Sequence, residues 1–282
     1  MNVQRVVAAL ATACLSAACL SAACLVGGPW AVPAQAAPTT TTTTASAPTT
    51  TTASAPLTST PLTSTPTTTS GLSPAQLLAS AISAVAGQRA LDWRQTMTQG
   101  VDSYTQVTQA GRLDGTSSIT VHAGKITLKL DWTLIGKTVY FKGNINALSG
   151  SLGFTTAAAK QEAGKWISAT AGSGALFQNL SSYLTVASAT TILDMVGEMS
   201  FLPATTVRGQ AVLGIQGVRL SEEEKVIETI YVKSAPAPLP VELSQIGQGS
   251  TLYTYFGPWG QPPVAKVPQS VLRLSKAWLA SS

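Results

Sequence analysis

The chain has 282 residues, 45% of them hydrophobic and only 10% charged, with 17 Lys and Arg against 12 Asp and Glu. The basic excess is mild and spread along the chain, which excludes the concentrated basic stripe of a nucleic-acid binder. There is one histidine, and all three cysteines lie within the first 24 residues, so the body of the chain cannot assemble a Cys/His zinc site.

Arg5 precedes a run from Val6 to Val26 built almost wholly of small and apolar residues. Gly27, Gly28, Pro29 and Pro33 follow it, and then Ala34-Gln35-Ala36. Positive start, apolar middle, breaker and small-x-small site are the order of a secretory signal peptide, here residues 1–36. A retained membrane anchor is the rival, since about 20 apolar residues span a bilayer. The Ala-rich, weakly hydrophobic run favours cleavage. Cys14, Cys19 and Cys24 each close a run of small residues, as the lipidated Cys of a bacterial lipoprotein does. Leucine, however, stands one place too early (Leu10, Leu15, Leu20), and a leucine rather than a small residue follows each Cys. Cys24 is the candidate lipidation site. Cleavage after Ala36 instead leaves no cysteine, hence no disulfide.

Residues 37–71 are Thr, Ser, Pro and Ala with repeats of ASAP and PLTST, two leucines and no aromatic. Such a segment cannot bury enough apolar area to offset the entropy of ordering, and it reads as a hydrated tether open to O-glycosylation. Residues 72–282 are long enough for one domain with a real core.

Ser73-Pro74 is a helix start, a capping hydroxyl before proline, with Leu77, Leu78, Ile82 and Val85 on one face and Gly87 at the end. Tyr104–Leu113 and Ser118–Ala123 read as strands joined at Asp114-Gly115. Lys125–Lys142 is the clearest stretch. Ile126, Leu128, Leu130, Trp132 and Leu134 alternate with polar residues, Gly136-Lys137 turns the chain, and Val139 and Phe141 resume the alternation. Successive side chains of a strand point to opposite faces, so this is a hairpin with one oily side. Thr155–Ala163 reads as a short helix ended by Gly164. Phe177, Leu180, Tyr183 and Leu184 have helical spacing, and so do Ile192, Leu193, Val196 and Met199 within Thr190–Met199. Strands return at Val207–Leu213, Gly217–Leu220, Val226–Lys233, Pro240–Ile246 and Thr251–Phe256, with the acidic turn Ser221-Glu222-Glu223-Glu224 among them. Strands, helices, strands define an α+β fold, one large antiparallel sheet with helices laid on one side.

Catalytic signals are thin. His122 has no G-x-S-x-G elbow to serve and reads as a strand-edge residue. Gly136-Lys137-Thr138 follows a strand rather than a Gly-rich loop, so it is no phosphate cradle. Asp92, Asp102, Asp114, Asp131 and Asp194 are scattered, which leaves little for a glycan-cleaving carboxylate pair. The expectation is a non-enzyme with no cofactor and no metal.

Gly136–Gly143 (GKTVYFKG), Ala163–Ile167 (AGKWI), Val207-Arg208-Gly209 with Val212, Leu239-Pro240-Val241, and Phe256–Gly260 (FGPWG) followed by Val267-Pro268 resemble, in order, the actinobacterial LppX/LprG-type envelope lipoproteins, related in fold to LolA. That resemblance implies a strongly curved antiparallel sheet, a half-barrel, whose concave face is covered by helices over an apolar cavity. It also implies a role in holding or carrying lipids or lipoglycans across the envelope. Alternation alone nominates Ile126, Leu128, Leu130, Trp132, Leu134, Val139 and Phe141 as cavity lining. Leu180, Leu184, Ile192 and Val196 are nominated as the helical lid. The expected partner is a lipid or other apolar ligand, with an envelope membrane protein as a second candidate, no nucleic acid, and the oligomeric state open. The competing expectation is a cell-surface structural or protein-interaction module with a solid core.

Overall fold

The computed structural model describes residues 71–279 except 221–224, 236 and 248. The leader 1–36 with Cys14, Cys19 and Cys24, the tether up to residue 70, and the acidic turn at 221–224 lie outside the described residues.

Helix α1 (Pro74–Ala86) starts where the capping signal places it. The Ser73 hydroxyl accepts from the Gln76 N–H at 3.3 Å, and Gln76 Oε1 accepts from the Ser73 N–H at 2.8 Å, a reciprocal cap. Leu77, Leu78, Ala81 and Val85 form its buried face, with Ile82 half-buried beside them. Each large aliphatic buried here contributes about 1.5–3 kcal/mol.

Strands β1 (Leu91–Gln99), β2 (Asp102–Ala110), β3 (Asp114–Ala123), β4 (Ile126–Ile135) and β5 (Thr138–Gly143) form a first meander. Four short elements follow: α2 (Ile145–Gly150), α3 (Thr156–Glu162), β6 (Ile167–Thr170) and α4 (Ala175–Ser181). After α5 (Val186–Ile192) comes a second meander, β7 (Val196–Val207), β8 (Gln210–Leu220), β9 (Lys225–Lys233), β10 (Pro240–Gly247) and β11 (Ser250–Trp259). The last strand is β12 (Leu272–Arg273). All twelve make one sheet in the order β12-β6-β5-β4-β3-β2-β1-β11-β10-β9-β8-β7, antiparallel except where β12 meets β6. The sheet is curved and does not close, with β12 and β7 as its two ends. The α+β expectation holds.

The first strand joins the two meanders by pairing with the last long one, Trp93 opposite Phe256 and Gln95 opposite Thr254. Register slips between Leu91 and Trp93 here, between Pro240 and Glu242 in β10, and twice along β7. Each slip is an irregularity of the kind that bends a strand and sharpens its twist, which curves a sheet of this width.

The helices approach the sheet at glycines. A Cβ on Gly115 of β3 would stand 2.3 Å from the Leu184 carbonyl oxygen, and one on Gly143 of β5 would meet Ala147 and Leu148 of α2 at 3.0 and 3.2 Å. Only glycine permits the Gly115 contact, because its neighbour there is backbone. The C-terminal segment returns to the far end of the sheet, where Phe154 bridges Leu279 and the Thr155 N–H donates to the Trp278 carbonyl at 2.7 Å.

Three sequence expectations need correction. Thr190–Met199 is not one helix: α5 stops at Ile192, and β7 begins at Val196. Val207–Leu213 is not one strand, because Arg208 and Gly209, both with positive φ, turn β7 into β8. Asp114-Gly115 is the start of β3 rather than a turn, with the Gly111 N–H donating to the Asp114 carbonyl at 2.7 Å to close the connection. Strand β1 carries no expectation at all, since LDWRQTMTQ shows polar residues at most positions.

Candidate functional site

The pairing registers align the inward side chains in rows across the sheet. One row is Phe141, Trp132, Ser117, Thr108, Trp93 and Phe256. The next is Leu130, Ile119, Gln106, Gln95, Thr254, Leu243 and Ile230. Both are apolar at the ends and polar in the middle. The helices cover this face and leave the other to polar residues such as Asp131 and Lys142, whose charged groups pair at 3.5 Å.

The apolar ends form two buried clusters. The first joins β3–β6, with Met97 of β1 and Tyr104 of β2, to α2, α3, α4 and Leu184, and it includes the edge-on rings of Phe141 and Phe154, 6.2 Å apart. The second joins β1 and β8–β11 to α1, α5, Leu193 and Met195. Leu128, Leu130, Trp132, Leu134, Val139 and Phe141 all lie in the first cluster, with Leu180 and Leu184 on its helical side. Ile192 is half-buried against the second cluster instead. Ile126 is exposed at the start of β4, and Val196, 48% exposed, opens β7. Neither joins a cluster.

Between the clusters runs a hydrogen-bonded polar belt. Gln106 Nε2 donates to Thr108 Oγ1 at 3.0 Å and to Ser117 Oγ at 3.2 Å, and those two hydroxyls are 2.8 Å apart. The Tyr104 hydroxyl donates to Gln106 Oε1 and lies 3.3 Å from Gln95 Oε1, whose Nε2 reaches Thr254 Oγ1 at 3.2 Å. Farther along, Gln245 Nε2 donates to Glu228 Oε1 at 3.0 Å, and Glu228 is fully buried. Polar groups inside a sheet cost free energy unless paired, so this belt is tolerated only because its members satisfy one another. One inward group is not satisfied: the buried indole N–H of Trp93 has no hydrogen-bond partner among the described residues.

The face is not evenly covered. Ile119, Gln95, Leu252 and Gln245 point inward from β3, β1, β11 and β10, yet each stays only half-buried. Solvent therefore reaches the sheet's inner side at these four positions, Ile119 and Leu252 bordering the first cluster, while Gln106, Thr108, Ser117 and Thr254 of the belt stay buried. Sequence reasoning missed this belt, because Gln, Thr and Ser at alternate strand positions read as a wet face.

The carboxyl groups whose titration is shifted sit off the belt. Burial pushes the Asp92 carboxyl above its ordinary value, opposed by a 3.2 Å hydrogen bond from Gln109. Burial likewise raises Glu242, opposed by the charge of Arg208, whose guanidinium lies over the Tyr255 ring at 4.8 Å. His122 is exposed on β3 with Nδ1 3.1 Å from Thr127 Oγ1. Among the described residues no three His, Cys, Asp or Glu side chains gather as a metal site would require.

No family model and no curated protein matches the chain. Solved structures do. LprF from Mycobacterium bovis is 12% identical, with a TM-score of 0.47 over 69% of this chain and 96% of that one. The lipoprotein LppX from Mycobacterium tuberculosis is 14% identical, with a TM-score of 0.44 over 69% of this chain and all 100% of the other. An uncharacterised conserved protein from Thermus thermophilus is 8% identical, with a TM-score of 0.37 over 72% of this chain and 100% of its own. Among the described residues no helix is long and apolar enough to cross a membrane.

Proposed function

We propose that the chain is an exported, non-catalytic cell-envelope protein that holds a lipid or similar apolar ligand between the inner face of its sheet and the helices above it. The observation that carries this reading is the half-buried state of four inward residues, Gln95 and Gln245 with Ile119 and Leu252, the latter two bordering the first apolar cluster. A filled sandwich would bury all four. The cover is also suited to opening, because α2–α5 are only 6 or 7 residues long. Helices that short have little stability of their own and depend on the packing beneath them. An alkyl chain placed there gains about 0.8 kcal/mol per buried methylene without any specific polar contact. The leader 1–36 and the tether over 37–71 fit export and a reach away from the membrane, with Cys24 as the alternative point of attachment.

Native mass spectrometry of the exported chain, gently extracted or incubated with phospholipid vesicles, tests the reading. Discrete lipid-sized mass additions are expected. A protein that carries no lipid and takes none up overturns it.

A solid-core surface module is the second reading. The full burial of Phe141, Leu148, Ala159 and Ile167 favours it for the first cluster. Leu130→Ala discriminates. In a filled core it costs about 2–5 kcal/mol, whereas at a ligand-facing position the loss is smaller and is felt in lipid affinity.

A further inference from the structure

One rim of the first meander carries apolar side chains at its turns. The turn Gly100-Val101 joins β1 to β2, and its valine is 87% exposed, more than any other large hydrophobic among the described residues. Antiparallel pairing brings the β3–β4 turn and the exit from β5 to the same end of the sheet. Ile126 follows that turn and is 36% exposed. Ile145, which opens α2 at the exit from β5, is 42% exposed. Such positions are ordinarily filled by Gly, Asn, Asp or Ser.

The three positions are fixed to one another. The Gly124 N–H donates to Asp102 Oδ1 at 2.8 Å, which ties the second turn to the first. The side-chain amides of Asn144 and Asn146 both donate to the Thr127 carbonyl, at 2.7 and 3.0 Å, which ties α2 to β4. Aliphatic tips are thus held along a rim three to four strand spacings wide, roughly 15–20 Å.

Lysines stand among them. Lys125 lies in the second turn and Lys129 on the outer face of β4, both exposed. The rim continues at Gly164, whose N–H donates to the Gly143 carbonyl at 2.9 Å, with Lys165 and the half-buried Trp166 next in the chain. The nearby carboxylates Asp131 and Glu162 pair with Lys142 and Lys165, and no ion pair among the described residues engages Lys125 or Lys129. Single aliphatic tips set apart by lysines and amides do not make the contiguous apolar core that a protein partner needs. They suit a fluid bilayer surface, where apolar tips sink between headgroups and each lysine meets an anionic one.

We propose that this rim, built from the β1–β2 turn, the β3–β4 turn and the start of α2, docks the protein on an anionic phospholipid membrane. Val101, Ile126 and Ile145 enter the headgroup region, and Lys125 and Lys129 bind the headgroups. The inference rests on this surface alone and is independent of what the inner face of the sheet holds.

Hydrogen exchange of the exported chain, titrated with vesicles, tests it. The vesicles are phosphatidylcholine alone or phosphatidylcholine mixed with phosphatidylglycerol. On the anionic vesicles, amides of residues 99–103, 124–127 and 144–147 should slow, and those of the opposite turn at residues 136–137 should not. This readout is local, so attachment through Cys24 cannot mimic it. Lys125→Gln with Lys129→Gln should raise the vesicle concentration needed roughly 25-fold, about fivefold for each lysine. Val101→Ser with Ile145→Ser should raise it at least about tenfold. All four side chains are exposed, so neither pair disturbs the core. Unchanged rim exchange, equal slowing on neutral and anionic vesicles, or slowing that either pair of substitutions leaves intact overturns the proposal. Lipid carriage by the inner face, read from the mass of the free chain, would survive each of these failures.

Discussion

The indole N–H of Trp132 donates to the backbone carbonyl of Leu180 at 3.0 Å, a bond between strand β4 and the last turn of α4. Late carbonyls of a helix have no intrahelical donor, so the sheet supplies one and pins the cover to the inner face. Trp132→Phe keeps most of the ring and removes only this bond. It should lower stability by about 1–3 kcal/mol. Amide exchange in α4 should accelerate by more than the global change explains, and hydrogen-exchange mass spectrometry over residues 175–182 checks it.

Gly115 and Gly150 should respond oppositely to alanine. At Gly115 the added methyl would run into the Leu184 and Gln109 carbonyl oxygens at 2.3 and 2.9 Å, both backbone. Overpacking of this kind costs about 1–3 kcal/mol. Gly150 closes α2 with open space around it and no positive φ, so alanine there should stabilise by roughly 0.4–1 kcal/mol. Urea midpoints of the two variants measure both effects.

Thr108→Val and Ser117→Ala should not add. The two hydroxyls bond each other and share Gln106, and Ser117 also reaches the Val107 carbonyl at 3.2 Å, so either single change removes bonds from a shared network without leaving a group bare, at about 0.5–1.5 kcal/mol. The second change removes a group whose bond to the first is already gone. A double-mutant cycle should show a coupling of at least about 0.5 kcal/mol, against nearly zero for unlinked sites.

Glu242 ties stability to pH. Burial raises its carboxyl above the ordinary 4.5, against the opposing charge of Arg208. Such a group binds its proton more readily folded than unfolded. It therefore favours the fold below its unfolded value and loses that support as pH rises through the folded one. Relative to wild type, Glu242→Gln should gain stability from about pH 4 to about pH 6, read from urea midpoints at each pH. A relative loss over that interval would contradict the assignment.

Much of this fold is legible in the chain because its signals are local. Ile126 to Leu134 alternate without interruption, and Ser73-Pro74 with Gln76 spells out a helix cap. What misleads is a change of period with no punctuation. Ile192, Leu193, Val196 and Met199 keep helical spacing across the junction of α5 and β7, and the strand's own register slips erase the alternation that would reveal it. The site is half-legible for a related reason. Leu128 to Phe141 announce an oily face, but Gln95, Gln106, Thr108, Ser117 and Thr254 occupy inward positions with residues that ordinarily face water. Only cross-strand pairing shows that they satisfy one another, and pairing between β1 and β11 joins residues about 160 positions apart.

The central claim is that an alkyl chain lodges against the sheet's inner face, where Trp93 and Trp132 stand. Tryptophan fluorescence titrated with brominated-acyl lipid measures this directly, because bromine quenches only at near contact. Saturable quenching is predicted from a variant retaining only those two tryptophans, with no quenching by the unbrominated lipid and little by aqueous acrylamide. Emission that stays unquenched while the protein remains folded would contradict the account.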